Sequence, residues 1–276
     1  MKKVLAISLA ALLALSIMGC SKNEDSSTVD AEGGVEEIVA STIEYEGYEF
    51  GYAVNEEGDY EITSIVYDNP ESIDVKIPDK IDGRPVTGIG ADAFKADAFI
   101  KSVEIPDSIT YIADFAFYGC SGLTEVKLPA SVTSIGQGAF MLCTGLKTIE
   151  LSSELVTISN YAFMNCTALE SVTVPEKVKT IGEGAFFSCE AIEEIVIPTS
   201  VESVGKGAFL YCHKLASVTI NNAKMAFPMT EDGAHIGVFV TCADGLTITA
   251  ATGSTAEAYA TAEEITFVAA NASAAQ

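Results

Sequence analysis

The chain has 276 residues, 39 acidic side chains against 15 basic ones, two histidines, no tryptophan and a formal net charge of −24. That acidity repels phosphate backbones and anionic lipid surfaces, so nucleic acid is not an expected partner. Its ordinary meaning is the solubility of an exported protein. Hydrophobic residues make up 49% of the chain, enough for a sizeable core, whereas two histidines leave little material for imidazole-based catalysis or metal binding.

In chain order, the first segment is a targeting signal. Lys2 and Lys3 precede an apolar run from Val4 to Met18, too short to span a bilayer. The run ends in Ile17-Met18-Gly19-Cys20, which resembles the bacterial lipoprotein signal, in which cleavage precedes a cysteine that carries the lipid. An ordinary cleaved signal with an incidental cysteine is the alternative. The resemblance implies a signal peptide over 1–19, lipidation of Cys20, and an extracytoplasmic protein anchored to a bacterial membrane at the cell surface or in the periplasm. Without Lys2 and Lys3 the remaining chain carries −26. Residues 20–43 are polar, acidic and poor in aromatics, the composition of a disordered tether. Beyond it the expected solenoid with its caps runs over 44–268, and 269–276 is a disordered tail.

Tyr45 to Tyr67 alternates apolar and polar residues around Asn55-Glu56-Glu57-Gly58, so it reads as a hairpin-type cap. Its Tyr45, Tyr48, Tyr52, Tyr60 and Tyr67 are as consistent with core as with display. Then Ala-Phe recurs every 23 residues at Ala93-Phe94, Ala116-Phe117, Ala139-Phe140, Ala162-Phe163, Ala185-Phe186 and Ala208-Phe209. A fixed period of this length is a stack of near-identical coils. The rest of the unit keeps register: Cys120, Cys143, Cys166, Cys189 and Cys212, then Leu123, Leu146, Leu169, Ile192 and Leu215, then strands closed by Pro129, Pro175 and Pro198. The segment Leu-x-x-Val-x-Leu has period 2 and suits a short strand, and proline ends it because it cannot donate to a ladder. Gly90, Gly136, Gly182 and Gly205 mark a second bend where a side chain would crowd the turn. Phe is the expected large core residue, with Ala where backbones approach.

This unit, L-x-x-V-x-L-P-x-x-V-x-x-I-G-x-x-A-F-x-x-C, resembles the repeat of the BspA-like, treponemal-type leucine-rich-repeat surface proteins from about Ile62 to Val268. The resemblance implies an α/β or mainly β solenoid of about seven 23-residue coils, a parallel sheet on the concave face and a β-hairpin-type N-terminal cap. It also implies an adhesion-type role, with no binding residues of its own to carry over. The units break step in four places. Asp97 stands where cysteine is expected, and Ser152 replaces the closing proline. Asp82-Gly83-Arg84-Pro85 forms a turn-like insert, and Asn221–Gly237 reads as a bulging loop. The closing segment Leu246–Val268 carries a helix expected near Thr255–Glu263, with Ser254 as cap.

The cysteine column reads as buried packing, with free thiols behaving as small hydrophobes, and a bridge between neighbouring coils stays open. No nucleophile–base pair, metal signature or phosphate loop accompanies it, so no enzyme, cofactor or metal is expected. His213 is expected at a solvent-facing turn and His235 in the irregular loop. The outward strand positions Glu104, Lys127, Glu150, Thr173, Val196 and Thr219 form the first candidate binding surface, flanked by Ser102, Glu125, Thr148, Ser171, Glu194 and Ser217. The second candidate is the column after each Phe: Tyr118, Met141, Met164, Phe187 and Leu210. Exposed, it would be an interface; alternatively the turn beside it covers it. The function expected is recognition of another protein or an envelope polymer, or else an envelope scaffold or spacer that self-associates.

Overall fold

The computed structural model describes residues 41–68 and 71–270; the expected signal segment, Cys20, the expected tether through residue 40 and the last six residues lie outside them, whereas Ser41–Ile43, read as tether, belong to the first strand, and Ala269, read as tail, ends the last. Apart from one helix, the ordered elements are strands. Three antiparallel strands, Ser41–Tyr45, Tyr48–Val54 and Tyr60–Val66, form the N-terminal cap. Asn55 shapes the second turn, its side-chain oxygen accepting from the Glu57 and Asp59 amides. The first turn, Glu46-Gly47, has both residues at positive φ, as a two-residue hairpin requires. The Asp82-Gly83 insert repeats this device between Lys80–Ile81 and Arg84–Ile89.

The main face carries nine parallel strands, one per turn of the solenoid, in a sheet of five (Ile73–Lys76, Ile100–Glu104, Glu125–Lys127, Thr148–Glu150 and Ser171–Val172) and a sheet of four (Glu194–Ile197, Ser217–Ile220, Thr247–Ala250 and Thr266–Ala269). Equivalent residues stack in register: Val103 pairs with Val126, Val126 with Ile149, and Ile149 with Val172. Seven turns carry the phenylalanine, from Phe94 to Phe209 and then Phe239, which is the regular array the period predicts. The two further turns close the C-terminus with a helix and a bare strand in place of the repeat unit, so the sequence period does not count them.

A second ladder, hidden from the sequence because its strands are only two residues long, runs through Tyr111–Ile112, Ser134–Ile135, Thr157–Ile158, Thr180–Ile181 and Ser203–Val204. The repeated glycine follows it. A Cβ on Gly136 would lie 2.5 Å from the Asp114 amide nitrogen, and one on Gly205 would lie 2.4 Å from that of Glu183. The approach of the preceding coil thus favours the smallest residues here, glycine at Gly90, Gly136, Gly182 and Gly205 and alanine at Ala113. Where Ser159 occupies this position the ladder divides. Gly136, Gly182 and Gly205 donate their amides to the preceding Ile carbonyl, whereas the Ile135 carbonyl accepts from Ser159 Oγ at 2.6 Å.

The third side of each coil is the Ala-Phe turn. The Phe amide donates to the Ala carbonyl of the next coil at 2.8–2.9 Å from Phe94 through Phe186. Two backbone positions in each of these turns have positive φ. One precedes Ala, at Asp92, Phe115, Gly138, Tyr161, Gly184 and Gly207. The other precedes Cys, or Asp97 in the first coil, at Ala96, Gly119, Leu142, Asn165, Ser188 and Tyr211. The rings stack at 4.9–5.6 Å between centroids, within 14° of parallel, from Phe94 to Phe209. The helix Thr255–Ala262, capped by Ser254 as expected, presents buried Tyr259, which meets Phe239 edge-on at 6.0 Å and stacks on Phe227 at 4.2 Å. Tyr259 thereby ends the ring column.

Replacing a central ring removes contacts on both sides at once. Phe163→Ala is expected to destabilise the protein by about 3–5 kcal/mol, read as a lowered denaturation midpoint. The cap is clasped by Tyr111, whose ring covers Gly88 and whose hydroxyl donates to Glu61 at 2.7 Å and accepts from Asn55. Desolvation, then the bond to Glu61, pushes this phenol up to about 12 from its ordinary 10.0. A raised value in the folded state means that stability is intact below pH 10 and is lost as pH climbs towards 12. Tyr111→Phe should flatten that alkaline loss in a melting-temperature profile, relative to the wild type.

Candidate functional site

The five in-register cysteines are fully buried, and all six described cysteines are free. Their type, and not merely their size, has a reason. Each Sγ donates to the carbonyl of the Phe one coil earlier: Cys120 to Phe94 at 3.0 Å, Cys143 to Phe117 at 3.1 Å, Cys166 to Phe140 at 3.1 Å, Cys189 to Phe163 and Cys212 to Phe186 at 3.2 Å. An aliphatic side chain would fill the space but leave this bond unmade. Burial drives the thiol pKa values up, well above the usual range for Cys143, Cys166 and Cys189. These sulfurs are therefore not nucleophiles at neutral pH. At the first coil Asp97 replaces the cysteine and turns outward. Its carboxylate accepts from the Tyr67 hydroxyl and the Phe99 amide, and Tyr67 is held protonated by desolvation and by this bond. Asp97 thus belongs to the cap.

The strand positions singled out from the sequence do share one face. Glu104, Lys127, Glu150, Thr173 and Val196 are exposed and Thr219 is half-buried. Glu104, Lys127, Glu150 and Thr173, with the flanking Ser102, Glu125, Thr148 and Ser171, line an open depression of about 640 Å³, and Val196 and Thr219 lie beyond it. The register makes charge partners of neighbours: Lys76 meets Glu104 at 3.6 Å and Lys127 meets Glu150 at 2.8 Å. Beyond Glu150 the two columns carry hydroxyls and methyls, with Glu194 as the one charge through Thr249. The face is thus half ion-paired and half hydroxylated, and it is too open to exclude water from a reaction.

Tyr118, Met141, Met164, Phe187 and Leu210 are each half-buried beside the left-handed turn, between the two alternatives that the sequence left open. The five cap tyrosines are also half-buried, and they pack against the core. His213 is exposed beside the Tyr211 ring, as expected. His235 is half-buried, edge-on to Phe227 and Tyr259. The Asn221–Gly237 loop is narrower than its length suggested, because Ala226 still pairs with Ser203 and only the piece around the Met229–His235 bridge leaves the ladder.

The family model for the BspA type leucine rich repeat region matches six copies over residues 87–223. The chain belongs to the BspA-type leucine-rich-repeat family. Among solved structures it is similar to a leucine-rich-repeat protein of T. pallidum, with 32% identity over 73% of this chain and 82% of that one and a TM-score of 0.47. It is also similar to a leucine rich cell surface protein of Faecalibacterium prausnitzii, with 23% identity over 83% and 72% of the two chains and a TM-score of 0.51. No curated protein matches. Membership places the chain, in general terms, among interaction and recognition proteins.

Alkylation separates the buried thiols from the rim. Cys242 is half-exposed, its thiol pushed up to about 12 by burial, and it should react slowly with iodoacetamide in the native protein. Cys120, Cys143, Cys166, Cys189 and Cys212 should label only after denaturation, as read by peptide mass mapping. Rapid native labelling of Cys143 or Cys166 would contradict the thiol ladder.

Proposed function

We propose that the chain is a lipid-anchored, non-catalytic recognition protein of the bacterial envelope or cell surface, of the adhesion type. It binds another protein or an envelope polymer through the outward face of its main sheet. The observation that carries this reading is the pair of in-register columns, exposed for several coils above a rigid core. They present ion pairs at one end and hydroxyls at the other. Such a face repeats at the spacing of a β-ladder, roughly 4.8 Å per rung, and suits an extended partner laid along it. The floor is apolar and fixed, so little conformational freedom is lost when a partner docks.

Attachment through Cys20 belongs to the same proposal, and among the described residues no helix is long and apolar enough to cross a membrane. The acidity of the chain keeps it off anionic lipid, so contact with partners is directed to the sheet.

The test is capture of envelope and extracellular proteins and polymers by the full chain, compared with a Lys127→Ala, Glu150→Ala, Thr173→Ala variant. Retention of a given partner should fall about tenfold or more in the variant with an unchanged melting temperature. Equal capture by the two proteins would remove the sheet face from the reading.

A further inference from the structure

The Ala-Phe turns present a second surface, set apart from the sheet. Three columns meet there: the residue before Ala, the residue after Phe, and the residue before Cys. From the coil of Phe115 to the coil of Thr241 none of these positions carries a charge, in a chain where one residue in five is charged. At the first coil the only two charges, Asp92 and Lys95, neutralise each other at 2.8 Å. The columns form one continuous strip: Phe115 contacts Tyr118 at 6.0 Å, and Phe187 contacts Tyr211 of the next coil at 5.3 Å. The strip is also levelled. The Phe115 ring lies over Gly138, where a Cβ would approach it to 2.5 Å, and the Tyr161 ring lies over Gly184 at 2.6 Å. No ring lies over Gly207, where a Cβ would meet only Leu210 at 3.6 Å, although the residue itself is buried at the foot of the strip. Six coils give the strip a length of roughly 25 Å. An apolar strip of this size on a strongly acidic protein marks an interface.

We propose that this strip is covered by a second copy of the chain, paired antiparallel about a two-fold axis that passes through the coil of Tyr161 and Met164. A two-fold face must match itself, and the order of residues along the strip does so. Counting outward from that coil, Phe115 falls opposite Gly207, a low point of the strip that no ring overlies, and Tyr211 falls opposite Gly119, so each large ring faces a glycine position. Met141 falls opposite Phe187, a sulfur–aromatic pairing. The column bordering the strip on the Gly136–Gly205 side runs from Asp114 at one end to Lys206 at the other. Both are exposed, and among the described residues neither enters an ion pair within the chain. Antiparallel pairing sets Asp114 of each copy against Lys206 of the other, twice. Parallel pairing would instead set Glu183 against Glu190, two like-charge contacts. Charge thus selects the antiparallel arrangement, and two chains of −24 would associate through a strip that itself carries no charge from Phe115 to Thr241.

Sedimentation velocity of the full chain in a nonionic detergent, at micromolar concentration, tests this. The wild type should sediment as a dimer. Met164→Glu, which places two carboxylates at the axis, should sediment as a monomer with an unchanged melting temperature. Asp114→Lys or Lys206→Asp alone should weaken the dimer about tenfold, and the two together should restore it. A monomeric wild type would overturn the proposal, as would a dimer that survives Met164→Glu or a double exchange that restores nothing. A monomer that floats with phosphatidylcholine vesicles through this strip would overturn it in favour of a lipid surface.

Discussion

Each regular coil must close through a turn that holds two residues in the left-handed region while delivering one phenylalanine to the core. That conformation costs an L-residue other than glycine roughly 1–2 kcal/mol, and the turns accept it at Phe115, Leu142, Tyr161, Asn165 and Tyr211. It persists because neighbouring turns fix one another. The Phe amide is bonded forward, the Phe carbonyl receives a thiol from the next coil, and the rings stack nearly parallel. The main strands and the short second ladder then follow at the spacing these turns impose. A repeat protein is a sum of nearest-neighbour interfaces, and here the interface is concentrated in one turn.

The ends show what an interrupted column requires. At the N-terminus Asp97 cannot take the buried place of a thiol, so it points outward and binds the cap tyrosine Tyr67. The hairpins lay tyrosines over the open side of the first coil, with Tyr111 and Glu61 as the clasp. At the C-terminus Tyr259 combines a ring that continues the aromatic contacts with a hydroxyl that accepts from the Val238 amide at 2.9 Å. A phenylalanine there would leave that amide without its partner.

The two surfaces of the solenoid are chemically distinct because they repeat different positions of the same unit. The sheet face repeats outward strand residues and carries paired charges and hydroxyls. The turn strip repeats positions beside the left-handed residues, where glycine and aromatics alternate and charges are missing. Most of the net negative charge must therefore lie elsewhere.

Periodicity alone determined the coil, its length and which residues are core, because a 23-residue repeat of Leu, Val, Phe and Cys can be buried in only one register. The hairpin turns, Ser254 and the out-of-step loop were legible for the same local reasons. The two-residue strands were not, since two residues carry no detectable alternation, and the left-handed positions were not, since tyrosine, leucine and glycine share them. Which side chains face each other across coils is likewise absent from any single window: Ser159 on the Ile135 carbonyl, Phe115 over Gly138, Cys143 on the Phe117 carbonyl. Those pairings arise from residues 23 to 26 positions apart, brought within van der Waals contact only when the coils stack.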